Sequence, residues 1–195
     1  MRDCPEVRTE RLLLRCWRSE DRATFAAING DPRVMEFLGD ALTREESDAL
    51  VDRIENKFAQ NGFGFWALEV PNVEPFIGMV GLNVPSFGAP FMPAIEVGWR
   101  LGVAHWGCGY ASEAARAALA YGFDVLGLEE VVAFTAKGNL RSRHVMERIG
   151  MLHDRRDDFD HPFLPTGSPL REHVLYRIRR PASEHDAARP TEAST

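Results

Sequence analysis

From Arg11 to Trp17 the side chains alternate, with Leu12, Leu14 and Cys16 set against Arg11, Leu13 and Arg15, and this period of two predicts a strand. Ser19 is placed to cap a helix running to about Asn29, which Gly30, Asp31 and Pro32 end. Thr43 and Glu46 have the spacing of a capping box. The polar helix they start runs to about Gln60, with Asn61 and Gly62 closing it. Gly64–Val70 and Phe76–Val84 read as an antiparallel pair joined by a turn containing Pro71 and Asn72. Phe91–Leu101 is the next strand. Its best-patterned part puts Ile95, Val97, Trp99 and Leu101 on one face and Glu96, Gly98 and Arg100 on the other. Pro85–Pro93, with three prolines, reads as a loop.

Ser112–Leu126 has the plainest helical pattern, with Ala115, Leu119, Gly122 and Leu126 on one face and Gly127 as its stop. Val131–Ala136 is a short β-branched run of the kind buried on both faces of a sheet. Asn139 then stands as an N-cap before a helix over Leu140–Ile149, ended by Gly150. Met151–Phe159 and Glu172–Arg179 are predicted strands, separated by the proline-rich loop His161–Leu170. The order β-α-α-β-β-β-α-β-α-β-β predicts an α/β (α+β) domain over residues 8–180. Residues 181–195 hold almost no large apolar side chain and read as a disordered tail.

Bulk properties narrow the function classes. The chain has 195 residues, 45% hydrophobic and 27% charged, which suits one globular domain. A formal charge of -6 lacks the basic footprint of nucleic-acid binding. No apolar run reaches the roughly 18–20 residues a membrane span needs, and the N-terminus lacks a signal-peptide pattern, so a cytoplasmic location is expected. Three cysteines, Cys4, Cys16 and Cys108, without CxxC spacing, argue against a disulfide framework or a structural zinc. His153, His161 and His173 are not at zinc-ligand spacing, and no metal is expected.

The chemistry concentrates at Glu96–Ala111 and Asn139–Gly150. A strand ending near Leu101 is followed by the turn Trp106-Gly-Cys-Gly-Tyr-Ala111 and a long helix. Glycines let a ligand approach backbone N–H groups, and those groups with the positive helix end form an anion site. A pyrophosphate fits such a corner. The turn lacks the third glycine of a dinucleotide-binding fingerprint and the Gly-Lys-Ser/Thr of a Walker loop.

Taken in order, Glu96-Val-Gly-Trp-Arg-Leu101, His105-Trp-Gly-Cys-Gly-Tyr-Ala-Ser-Glu-Ala114 and Asn139-Leu-Arg-Ser-Arg-His-Val-Met-Glu-Arg-Ile-Gly-Met151 resemble the GNAT acetyltransferase superfamily. Thr9-Glu-Arg-Leu-Leu-Leu-Arg15 fits its Rim-type branch of ribosomal-protein N-terminal acetyltransferases. The resemblance covers nearly the whole domain. It implies a mostly antiparallel mixed sheet of six to seven strands, splayed in the middle and flanked by about four helices. It implies acetyl-CoA as co-substrate and a primary amine as acceptor, either a protein N-terminus or a small molecule. A homodimer is implied by resemblance alone.

By the same resemblance, the backbone of Trp106, Gly107, Cys108, Gly109, Tyr110, Ala111 and Ser112 holds the pyrophosphate. The edge of Trp99, Arg100 and Leu101 pairs with the pantetheine arm. Acetyl transfer needs a neutral amine, an oxyanion donor and a proton for the leaving thiolate. Glu96, opposite the apolar face of its strand, is the leading base, with an ordinary strand glutamate as the alternative. Asn139 is expected to bond the pantetheine or substrate, or to act only as an N-cap. Many relatives carry a tyrosine acid seven residues after that asparagine. Met146 stands there, which leaves Ser142 as the donor to sulfur, or a simple capping residue. His161 and His173 are secondary candidates at the acceptor loop. The alternative function is a non-catalytic acyl-CoA sensor or interaction module.

Overall fold

The computed structural model describes residues 4–181, so nearly all of the expected tail lies outside the described residues. One sheet of nine strands runs in the order β1-β2-β3-β4-β5-β6-β9-β7, with β8 (Phe159–Asp160) also on β9. Its central members are β3 (Phe65–Val70), β4 (Glu74–Asn83), β5 (Glu96–Leu101), β6 (Glu130–Ala136) and β9 (Glu172–Arg179). β1 (Val7–Arg8), β2 (Leu13–Arg15) and β7 (Leu152–His153) extend the edges. All pairings are antiparallel except β5 with β6.

The strand count exceeds the expected six to seven. β1 is too short to carry a pattern of its own, and the predicted strand Met151–Phe159 is two strands around a turn. Asp154 makes that turn by accepting a hydrogen bond from the Arg156 N–H at 2.9 Å. β5 begins at Glu96 and not at Phe91, because Phe87 and Phe91 leave the ladder to pack their rings beside Phe134 and Phe159.

Five helices flank the sheet. α1 (Asp21–Asn29) starts after Glu20, which offers no side-chain cap, so Ser19 is not the cap. Asp21 accepts from the Arg18 N–H at 2.8 Å instead. Gly30-Asp31-Pro32 both ends α1 and starts a further short helix, α2 (Pro32–Met35), with Asp31 as N-cap and proline at its first position. α3 (Arg44–Asn61) carries the predicted capping box on Thr43 and Glu46, and Gly62 closes it in the left-handed region. α4 (Tyr110–Asp124) and α5 (Leu140–Arg148) complete the set.

The helices divide between the two faces. Lys57 of α3 bonds Asn83, and Arg100 bonds Asn29 of α1, so α1 and α3 cover the face of Glu96 and Arg100. α4 covers the face of Val97 and Leu101, where Tyr121 packs edge-on against Trp66 at 5.3 Å. Arg15 is buried between β2 and α1. It pairs with Asp21 at 2.7 and 2.8 Å and with Glu69 at 2.7 Å, so its charge is fully compensated.

Cys4 and Cys16 form a disulfide with Cα atoms 5.8 Å apart, a correction to the expectation that the cysteines build no disulfide framework. The antiparallel return of β1 onto β2 brings them together, a consequence of register that their spacing alone does not signal.

Candidate active site

β5 and β6 touch in the ladder only where Glu96 stands beside Val132, and the Val132 N–H donates to Ile95 O at 2.9 Å. Beyond that point each strand follows its other neighbour. β5 stays on β4 to Leu101, and β6 stays on β9 to Ala136. The strands splay, and the backbone of Trp99–Leu101 faces a cavity of about 300 Å³.

The cavity's far wall is the glycine corner. Trp106 anchors it by donating its indole N–H to Leu101 O at 2.9 Å. Gly107 and Gly109 have φ of +74° and +81°, a region L-residues avoid. Gly109 is the N-cap of α4 and offers no side-chain cap, so the first N–H groups of the helix stay available to an anion. Tyr110, Ala111 and Ser112 line the cavity there. Cys108 does not line it; its side chain is exposed, and its carbonyl accepts from Arg11 Nη1 at 3.0 Å.

Four arginines, Arg33, Arg100, Arg141 and Arg148, line the cavity with His105 and His144, and no carboxylate does. Arg33 and Arg141 are paired with Asp31 at 2.6 Å and Glu36 at 2.5 Å outside the lining, so among the described residues Arg100 and Arg148 supply the uncompensated positive charge that favours an anionic ligand. Sequence reading missed this, because Arg33, Arg141 and Arg148 come from two helices that meet only in the fold.

Asn139 and Ser142 stand on the opposite wall. Asn139 Oδ1 caps α5 by accepting the Ser142 N–H at 3.2 Å. Its Nδ2 donates to Thr135 Oγ1 at 2.9 Å and to Ser142 Oγ at 3.1 Å. Both Nδ2 hydrogens are committed within the protein and Oδ1 carries the cap, which leaves one Oδ1 lone pair for a ligand donor. Ser142 Oγ is used only as an acceptor among the described hydrogen bonds, so its proton remains free. Met146 is buried in the core and offers no proton.

Glu96 lies at the apex of the splay, outside the cavity lining. Burial pushes its pKa up to about 7, against a hydrogen bond from Asn83 and the charge of Lys57, both of which lower it. Lys57 Nζ donates to Asn83 Oδ1, and Asn83 Nδ2 donates to Glu96 Oε1.

Beside Glu96, on the face of Val132, Phe134 meets Phe87 at 5.5 Å and Phe91 at 5.8 Å. Phe159, His161 and His173 join these rings, the two imidazoles 4.9 Å apart. Burial lowers the pKa of both histidines, which keeps them neutral near pH 7. His161 and His173 are thus on the side of Glu96, outside the lining of the cavity. The aromatic rings were not legible, since they come from four separate segments. Among the described residues, no group of three or more His, Cys, Asp or Glu is arranged to hold a metal. No described helix is long and apolar enough to cross a membrane.

The family model described as Acetyltransferase (GNAT) domain matches residues 11–152. The chain belongs to the GNAT acetyltransferases. It is 33% identical over 144 residues to the uncharacterised protein YkkB of Bacillus subtilis, covering 73% of this chain and 83% of that one. It is 32% identical over 165 residues to the FsC-acetyl coenzyme A-N(2)-transacetylase of Aspergillus fumigatus, covering 76% of this chain and 66% of that one. Among solved structures it resembles the acetyltransferase of Agrobacterium tumefaciens at TM-score 0.72 and 29% identity, over 90% of this chain and 95% of that one. GNAT enzymes use acetyl-CoA, whose phosphates suit the open N–H groups at the start of α4, with Arg148 nearby.

Proposed function

We propose that this acetyltransferase moves the acetyl group of acetyl-CoA directly onto a primary amine, with Glu96 as base and Ser142 as donor to the departing sulfur. The observation that carries the reading is the splay of β5 from β6, with a carboxylate at its apex and an uncapped helix N-terminus at its mouth. The peptide edge of Trp99–Leu101 pairs with the pantetheine arm. The N–H groups from Gly107 to Ser112, with Arg141 and Arg148, hold the phosphates.

An ammonium group cannot attack a carbonyl. Glu96, with a pKa near 7, accepts a proton from the amine directly or through one water. The amine nitrogen then bonds the acetyl carbon, the carbon–sulfur bond breaks, and the Ser142 hydroxyl steadies or protonates the thiolate. Of the two amine protons that Glu96 relays to water, one replaces the proton that Ser142 gives the thiolate and the other goes to solvent, so a neutral amide and a thiol result with Glu96 ionised and Ser142 protonated as at the start. A side-chain amine with a pKa of about 10.4 demands more of Glu96 than an α-amine at about 8.

The test is thiol release from acetyl-CoA in the presence of pooled amines and peptides with free N-termini, with products identified by mass spectrometry. A new acetylated amine whose formation is lost in Glu96→Gln supports the reading. Tight acetyl-CoA binding with thiol release no faster than hydrolysis would leave a sensor in its place.

A further inference from the structure

Arg15 is fully buried and Arg100 half-buried, and the two guanidinium groups are partnered very differently. Arg15 makes charge-assisted bonds to two carboxylates and donates to two backbone carbonyls besides. Arg100 has one partner, the neutral Oδ1 of Asn29, which accepts from Nη1 at 2.6 Å. The Asn29 amide is itself fixed, because its Nδ2 donates to Ser47 Oγ at 2.8 Å. Arg100 Nε is sealed from solvent and has no hydrogen-bond partner. No carboxylate forms an ion pair with Arg100 among the described residues, and burial alone draws its pKa down to about 10.

Desolvating part of a guanidinium without a counter-ion is costly, and a ligand that brings a negative charge offsets that cost. Arg100 is among the residues that line the cavity. It projects from β5 on the same face as Glu96, four residues on, toward α1. That is the face opposite α4, whose N-terminus and nearby arginines already complement phosphates. With Nη1 committed to Asn29 and Nε sealed, Nη2 is the nitrogen left to a ligand, and a carboxylate there supplies the missing counter-charge.

We propose that Arg100 is a carboxylate-binding residue on the acceptor side, so that the amine acetylated at Glu96 belongs to a molecule that also carries a carboxylate. The inference rests on the acetyltransferase reading of the same cavity. It deepens that reading by naming a substrate class.

The experiment compares amines with and without the carboxylate: tyrosine against tyramine, ornithine against putrescine, and 6-aminohexanoate against pentylamine. The expected result is a kcat/KM at least tenfold higher for a carboxylate-bearing member, with the preference abolished in Arg100→Met, partly kept in Arg100→Lys, and the acetyl-CoA Kd unchanged in both. Equal or better turnover of every decarboxylated partner overturns the proposal and leaves the acetyltransferase reading intact. A large loss of acetyl-CoA affinity in Arg100→Met also overturns it, by assigning the guanidinium to the nucleotide. If no amine is turned over, the Nε–H resonance of Arg100, identified by its loss in Arg100→Lys, is followed while 6-aminohexanoate is added to the acetyl-CoA complex. A saturable shift supports the carboxylate site without any turnover, and an unmoved resonance overturns it.

Discussion

Asn83 Nδ2 donates to Glu96 Oε1 at 2.5 Å, across the rung of the β4–β5 ladder where the two residues stand opposite each other. The amide can present its NH₂ to the carboxylate only in one orientation. Lys57 sets that orientation by donating to Asn83 Oδ1, and it anchors itself on Val84 O at 3.2 Å. A helix on one side of the sheet thereby orients the carboxylate at the apex of the splay.

This relay predicts a pH profile. Glu96 must be ionised to accept a proton, and its pKa is raised to about 7, so kcat/KM should rise with pH through that value. The Asn83 bond favours the ionised form, so Asn83→Leu should move the rising limb upward by about one pH unit, given roughly 1.5–3 kcal/mol for a hydrogen bond to a charge. Lys57→Met should move it the same way by less, since its charge acts at longer range. Initial rates from pH 5 to 9 in the three proteins check this. An unshifted limb in Asn83→Leu would mean that another group is the base.

The glycine corner predicts a binding effect. Gly109→Trp should weaken acetyl-CoA at least tenfold by calorimetry, because bulk at the first turn of α4 blocks access to its N–H groups. The φ of +81° strains any L-residue at this position, so Gly109→Ala serves as the control for strain. A Cβ there would meet Arg11 Nη2 at 3.4 Å, an ordinary contact. Equal losses in the two variants would assign the effect to strain and not to a blocked ligand.

What the sequence made legible was what short-range patterns encode. The Thr43–Glu46 box, the Gly62 stop, the Asn139 cap and the strand face of Glu96, Gly98 and Arg100 each depend on neighbours within a few residues, and the fold reproduces them. The Cys4–Cys16 pair, the Lys57–Asn83–Glu96 chain and the isolation of Arg100 depend on which distant segments meet. Asn83 came nearest to being legible. Two strands joined by the proline loop are antiparallel neighbours if that loop is a hairpin connection, but Asn83 faces Glu96 only because β5 starts at Glu96 and not at Phe91. The ends of β5 and β7 were misjudged for a related reason. Phe91 and Phe159 have strand-like character, and ring packing in the aromatic cluster decides where they lie.

Ser142 separates a capping role from a chemical one. The cap on α5 uses the Ser142 backbone N–H and not its hydroxyl, and Asn139 Nδ2 keeps Thr135 Oγ1 as a partner when the hydroxyl is gone. Ser142→Ala should therefore leave the helix and the thermal midpoint nearly unchanged while lowering kcat by about tenfold or more, in the range of a lost proton donor. The acetyl-CoA Kd should move little, because a donor to the leaving sulfur matters most as charge develops there. The decisive measurement is turnover at saturating acetyl-CoA alongside a melting curve for the same protein. A wild-type kcat in Ser142→Ala would reduce the serine to a packing residue of the cap and leave solvent to protonate the thiolate.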